Sequence, residues 1–311
     1  LTLLSTTSGC IGPTLLSNGR SMSVGKHAKG TVRHAARLKF WGQGHIIPET
    51  WREREHNFGT DELTRLVRWT GQSLRRSFPH ATLAIADLGP LEGGWSAEHA
   101  SHQSGRDIDM LFFMKNDKRH NEIPEQMVPF DNRGIGYVLP EQAEELTLAP
   151  SPSNIAKPAK SEAEAVNTTP DDQKPEDLQP KELKPEPKYQ YDLKKNWTLV
   201  RLLIRQHVIP VQWIFVSNGL KKLLLAHAER SKEAEELVAR ARDILHQPSN
   251  SAAHDNHFHV RVYCSKNDQR QGCIDAEPRV FAPGGWFDAA YPQPVGNAAL
   301  KTFLAAANCS K

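Results

Sequence analysis

Residues 254–263 read His254-Asp255-Asn256-His257-Phe258-His259-Val260-Arg261-Val262-Tyr263. From Asn256 onward the side chains alternate. His257, His259 and Arg261 fall on one side, and Phe258, Val260 and Val262 on the other, the period-two signature of a strand with one apolar face. A matching stretch lies upstream, Asp107-Ile108-Asp109-Met110 running on through Leu111 to Met114. Here Asp107 and Asp109 share one face and Ile108 and Met110 the other. Two carboxylates on one face of an otherwise apolar strand are costly unless something positive faces them, and a cation resolves that conflict.

The segment before the second stretch, Glu98-His99-Ala100-Ser101-His102-Gln103-Ser104-Gly105-Arg106, adds two histidines and a glycine that permits a sharp turn into the strand. If the two strands are neighbours, His102, Asp109 and His259 form a two-histidine, one-carboxylate set. Three protein ligands with a fourth position open define a catalytic rather than a structural zinc site. His257, beside such a set, is placed as a general base or as a donor to an oxyanion. A single histidine is usually a surface or satisfied core residue, and His-x-His or Asp-x-Asp alone is common. The combination HxxHxxGxxxD with HxxHxH points to a metal. At this level an HNH-type nuclease, which also gathers His, Asn and Asp around one cation, remains open.

Working outward, Thr60 followed by Asp61 and Glu62 starts a helix in which Leu63, Leu66, Val67 and Leu74 recur at helical spacing to about Phe78. Thr82–Leu88 reads as a strand. Asp192 caps a helix through Trp197 and Leu203. Val211–Val216 reads as a buried strand ending at an Asn218-Gly219 turn, and Leu220 to about His246 as one long helix. Interspersed helices and strands predict an α+β fold, with a small, mainly antiparallel sheet and flanking helices. Between Ala149 and Lys188 lie eight prolines among Lys, Glu, Asp, Ser and Ala, with no aromatic residue. Such a composition cannot bury enough apolar surface to offset its ordering entropy. The expected organisation is therefore one domain in two parts, 1–148 and 189–311, around a disordered insertion at 149–188.

Composition narrows the function classes. There are 39 Lys and Arg against 36 Asp and Glu, a net charge of +3, which gives no electrostatic case for nucleic acid or an acidic membrane. No apolar run approaches the roughly 18 residues of a membrane span. The four cysteines are Cys10, Cys264, Cys273 and Cys309. The polar segment SKNDQRQG between Cys264 and Cys273 reads as a loop that a bridge could close, leaving Cys10 and Cys309 to join the termini; four reduced thiols remain the alternative. The chain starts at Leu1, and residues 1–16 lack the basic start and apolar run of a signal peptide, which fits either a removed leader or a cytosolic protein.

The stretch HASHQSGRDIDM, with HDNHFHVRVYC later in the chain, resembles the penicillin-insensitive murein endopeptidase family, within the zinc peptidases that include lysostaphin-type and D-Ala-D-Ala peptidases and the hedgehog fold. The resemblance takes in the strand WIFVS and spans about residues 10–145 and 190–275. It implies one zinc held by His102, Asp109 and His259, with His257 at the base position. It also implies that His99, His254 and Asp107 lie beside the metal or against substrate, and that Cys264–Cys273 and Cys10–Cys309 are bridges. The implied substrate is the D-alanyl-diaminopimelate cross-link of peptidoglycan, and the implied location is periplasmic or secreted. A murein carboxypeptidase and a non-catalytic, zinc-stabilised wall-binding protein are the alternatives. The insertion and the length of the cysteine loop depart from the family pattern. The family can carry further acidic ligands for a second metal, for which Glu98, Asp107 and Asp192 are the loose candidates here.

Overall fold

The computed structural model describes residues 20–138, 186–206 and 208–276. The expected body of the insertion, the Cys10–Cys309 pair and the C-terminal tail lie outside these residues. The expected insertion overshoots at its end, because Glu186, Pro187 and Lys188 belong to the strand Glu186–Tyr191. That strand pairs with Ile135–Val138 on one side and Met114–Lys115 on the other, so its alternate residues Tyr189 and Tyr191 are buried.

The fold is mixed α+β, and the single small sheet expected from the sequence is instead divided into five small sheets among the described residues. The sheet that matters for function has four strands in the order Leu245–His246, Val211–Phe215, His257–Val262, Asp107–Leu111. The first pair is parallel, and the other two are antiparallel. His257–Val262 lies against Asp107–Leu111 with His259 opposite Asp109, Val260 opposite Ile108 and Arg261 opposite Asp107. Residues directly opposite in an antiparallel pair project to the same face, so this register stacks the polar residues of both strands on one side. On the other side Ile108, Met110, Phe258 and Val260 are fully buried in the core. A slip of one residue would turn the imidazoles into that core.

Helices close the apolar face. Asp61–Ser77 begins where Thr60 accepts from the Leu63 amide, as its sequence signals, and buries Leu63, Leu66, Val67 and Leu74. Its mid-helix Gly71 is required by contact, since a Cβ there would lie 2.5 Å from the Gly44 carbonyl oxygen. Leu193–Arg205 begins at Asp192, whose carboxylate accepts from the Lys195 amide. Its buried Asn196 exchanges two hydrogen bonds with the backbone of Phe113, tying the helix to the chain leaving the Asp107–Leu111 strand.

Three local expectations are corrected. Asn218-Gly219 is not a turn but the start of helix Asn218–Arg230, capped by Ser217. The long helix to His246 is two, Asn218–Arg230 and Glu235–Ile244, broken where Lys232 takes a left-handed φ of 54°, and Leu245–His246 is strand. Of Thr82–Leu88 only Leu83–Ala84 forms a ladder, while Ile85 bridges to Met110 and the Ala86 amide donates to the Asp109 carbonyl. This places the next residue, Asp87, beside the polar face of the functional sheet.

Candidate metal centre

Asp109 is the hub of the site. Its side chain is 1% exposed, and four imidazoles surround it. His102 Nε2 lies 3.4 Å from Asp109 Oδ1, His257 Nε2 3.3 Å and His259 Nδ1 3.5 Å from the same oxygen. His99 Nδ1 lies 3.8 Å from Oδ2.

The other nitrogen of each ring is engaged elsewhere, always with an oxygen acceptor. His102 Nδ1 is 2.6 Å from the Leu88 carbonyl, and His259 Nε2 2.8 Å from Asp107 Oδ1. His257 Nδ1 is 2.6 Å from Asn256 Oδ1, and His99 Nε2 2.9 Å from Asp87 Oδ2. Carbonyl and carboxylate oxygens have no hydrogen to give, so these nitrogens carry the N–H and donate. In a neutral ring the remaining nitrogen then presents a lone pair, and every one of these lone pairs faces Asp109. Lone pairs directed at a carboxylate repel it unless a positive charge lies among them. His102 Nε2 and Asp109 Oδ1 are accordingly buried atoms that make no hydrogen bond. The donor set, imidazole nitrogens with one carboxylate, is the chemistry of a zinc-type site. Its outward hydrogen bonds to carboxylate and carbonyl are those that orient metal-bound histidines. The residues fit a metal.

The titration behaviour agrees. Burial disfavours the His102 imidazolium, but the Asp109 charge 3.4 Å away, Asp107 and the Leu88 carbonyl outweigh it, and the ring is pushed up to about 9. Without a metal, a proton on His102 supplies the positive charge. Burial holds His259 neutral, pushed down to about 3, against the pull of Asp107. Burial would raise both carboxyls, yet His102 and His257 around Asp109, and Arg261 and His259 around Asp107, hold both well below the usual range.

Backbone geometry serves the same centre. Gly105 has φ of 70°, the turn its position in the sequence suggests, and hands the histidine loop to the strand. His102 itself has φ of 65°, which costs a non-glycine residue on the order of 1 kcal/mol and is a kind of strain that clusters at functional sites.

Among the described residues, three groups have ligand atoms mutually within 4.8 Å: His99 with His102 and Asp109, His254 with His257 and His259, and His56 with Asp87 and His99. Of the sequence-derived residues, His102 is grouped with Asp109, whereas His257 and His259 fall in the other group, although a nitrogen of each also lies within 3.5 Å of Asp109 Oδ1; Asp107 bonds His259. The His254 ring sits 5.5 Å from the His257 ring, its buried Nδ1 without a partner among the described residues; burial, then His257, push its pKa down to about 4. Of the loose acidic candidates, Asp192 belongs to a helix cap with Lys195 and Lys115, and Glu98 is exposed and accepts from Ser96.

Sequence reasoning missed Asp87, Asn256 and Arg106 as partners of the site. Asp87 had a signal, a lone carboxylate in the apolar run TLAIADL, which is costly to bury without a partner. Arg106 is 1% exposed and bonds Ser23, the Val262 and Ile274 carbonyls and Asp275. It fastens the chain around the Cys264–Cys273 disulfide to the start of the Asp107–Leu111 strand. The segment within that disulfide, read from the sequence as a loop that a bridge could close, holds the short helix Lys266–Arg270.

A mixed α+β chain with four imidazoles ranged around a buried carboxylate is the class that fold and site define. The family model described as penicillin-insensitive murein endopeptidase, peptidase family M74, matches residues 23–133. The resemblance read from the first motif is thereby shown over a stretch that holds His99, His102 and Asp109. No curated protein matches the chain. No helix among the described residues is long and apolar enough to cross a membrane.

Proposed function

We propose that the chain is a zinc-dependent murein endopeptidase that hydrolyses the peptide cross-links of peptidoglycan between D-alanine and diaminopimelate, in the periplasm or outside the cell. The observation that carries this reading is the convergence of three imidazole nitrogens within 3.5 Å of Asp109 Oδ1, each ring donating its N–H away from that oxygen. The family match supplies the substrate class.

In this reading His102, Asp109 and His259 hold one zinc. Zinc in such a set polarises an amide carbonyl and acidifies water. Asp107 keeps the His259 ring in the tautomer that turns Nδ1 inward, and the Leu88 carbonyl does the same for His102 Nε2. His257 is the catalytic base. Asn256 accepts from its Nδ1, so Nε2 is free to take the proton of the attacking water and to return it to the departing amine. No serine or cysteine acyl-enzyme enters, so β-lactams have nothing to acylate. His99 and His254 line the same centre and contact substrate.

The test is digestion of purified cross-linked peptidoglycan, read by mass spectrometry of the muropeptides. Loss of cross-linked dimers and gain of monomers, abolished in His259→Ala, is the expected result. Trimmed stems with intact cross-links would shift the assignment to a carboxypeptidase. Unchanged muropeptides with the wall retained and zinc bound would leave a wall-binding protein.

A further inference from the structure

We propose that His56, Asp87 and His99 form a second divalent-cation site, next to the Asp109 centre and distinct from it, suited to zinc or a similar transition metal. Their ligand atoms lie within 4.8 Å of one another. The Asp87 side chain is 1% exposed, and among the described residues its buried Oδ1 finds no hydrogen-bond partner, nor does the buried His56 Nδ1. A carboxylate oxygen and an imidazole nitrogen left buried and unpaired in two residues of the same group are costly, and a cation held by that group would offset the cost. Asp87 Oδ2, by contrast, is occupied, with Arg54 Nη1 and His99 Nε2 each at 2.9 Å. Two imidazoles and a carboxylate are a transition-metal donor set, unlike the all-oxygen sets of calcium and magnesium.

His99 couples this site to the first. Its Nε2–H is given to Asp87 while Nδ1 faces Asp109 Oδ2. A neutral imidazole has one lone pair, so a cation on the Asp87 side takes Nε2 and sends the proton to Nδ1, which then faces Asp109 as a donor. Metal at the second site thereby changes what His99 presents to Asp109. Arg54, partly exposed and bonded to Asp87, opposes the second cation.

The test is a zinc titration of the metal-free, full-length protein by calorimetry, with metal analysis of the protein after desalting. The wild type is expected to bind one tight equivalent and a second, weaker one. His56→Ala should lose the second and keep the first. Arg54→Ala should tighten the second by about tenfold, because one positive charge has left Asp87. His259→Ala should lose the tight equivalent and keep the weaker. A single equivalent in the wild type at excess zinc would overturn the proposal, as would a second one indifferent to both His56→Ala and Arg54→Ala. Arg54→Ala alters an exposed side chain and carries the test if His56→Ala fails to fold. Because the readout is bound metal, failure here leaves the peptidase reading standing, and failure of that reading leaves this one.

Discussion

Removing the Asp107 carboxylate should cost stability and metal affinity together. Asp107 is fully buried and takes two donors on Oδ1, His259 Nε2 at 2.8 Å and Arg261 Nε at 2.5 Å. Arg261 is 6% exposed and lies over the Phe215 ring, so in Asp107→Ala its charge stays in the interior without its partner. Breaking a buried pair from one side costs about 3–5 kcal/mol. For a folded region of this size that lowers Tm by roughly 6–20 °C. The same change frees the His259 tautomer, and loss of such an outer hydrogen bond typically weakens metal binding about 10–100-fold. Asp107→Asn keeps an acceptor for His259 but not the charge for Arg261, and should fall between wild type and Ala on both scales. The assays are thermal unfolding of the metal-free proteins and zinc competition against a chromophoric chelator. An Asp107→Ala protein with wild-type Tm and wild-type zinc affinity would refute the argument that this carboxylate orients the site.

Four further outcomes are expected. His257→Ala should still bind zinc but lose about 100-fold or more in rate on cross-linked peptidoglycan, since only the base is removed; equal activity would exclude His257 from the chemistry. His45 is 2% exposed and pushed by burial from 6.5 down to about 4, so the unfolded chain binds the proton first as pH falls. Its contribution is full above about pH 6.5 and lost between there and about pH 4, on the order of 3 kcal/mol, and unfolding of His45→Gln against wild type across that window should show a flatter profile. Gly71→Ala drives a Cβ to 2.5 Å from the Gly44 oxygen and should destabilise by about 1–3 kcal/mol in denaturant titrations, despite the better helix propensity of alanine. Replacing Cys264 and Cys273 by Ala opens a bridge between residues nine apart and should lower stability by about 2–3 kcal/mol in the same assay.

The elements that position the site were legible where local chemistry and tertiary packing agree. The alternation of His257–Val262 and the paired carboxylates of Asp107 and Asp109 named both strands and the faces they present, and Thr60 and Asp192 marked their helix starts. The register that sets His259 against Asp109 was a conjecture from chemistry, since no local pattern encodes which residues of distant strands meet. Elements were misjudged where backbone conformation overrides composition. Lys232 breaks a run of good helix formers by a left-handed turn, and Ser217 converts an apparent Asn-Gly turn into a helix start. Asp87 acquires its role from the His99 ring, a contact that exists only once the loop and the 83–87 segment are assembled, whereas Asn256 holds the ring of its own neighbour His257.

The proposed metal centre is tested most directly by a crystal grown with zinc and measured on both sides of the zinc absorption edge. Zinc held as proposed gives an anomalous peak in coordination contact with His102 Nε2, Asp109 and His259 Nδ1, with His257 Nε2 facing it. A structure in which those nitrogens remain turned toward Asp109 with no peak between them, or with the peak bound elsewhere, would contradict it.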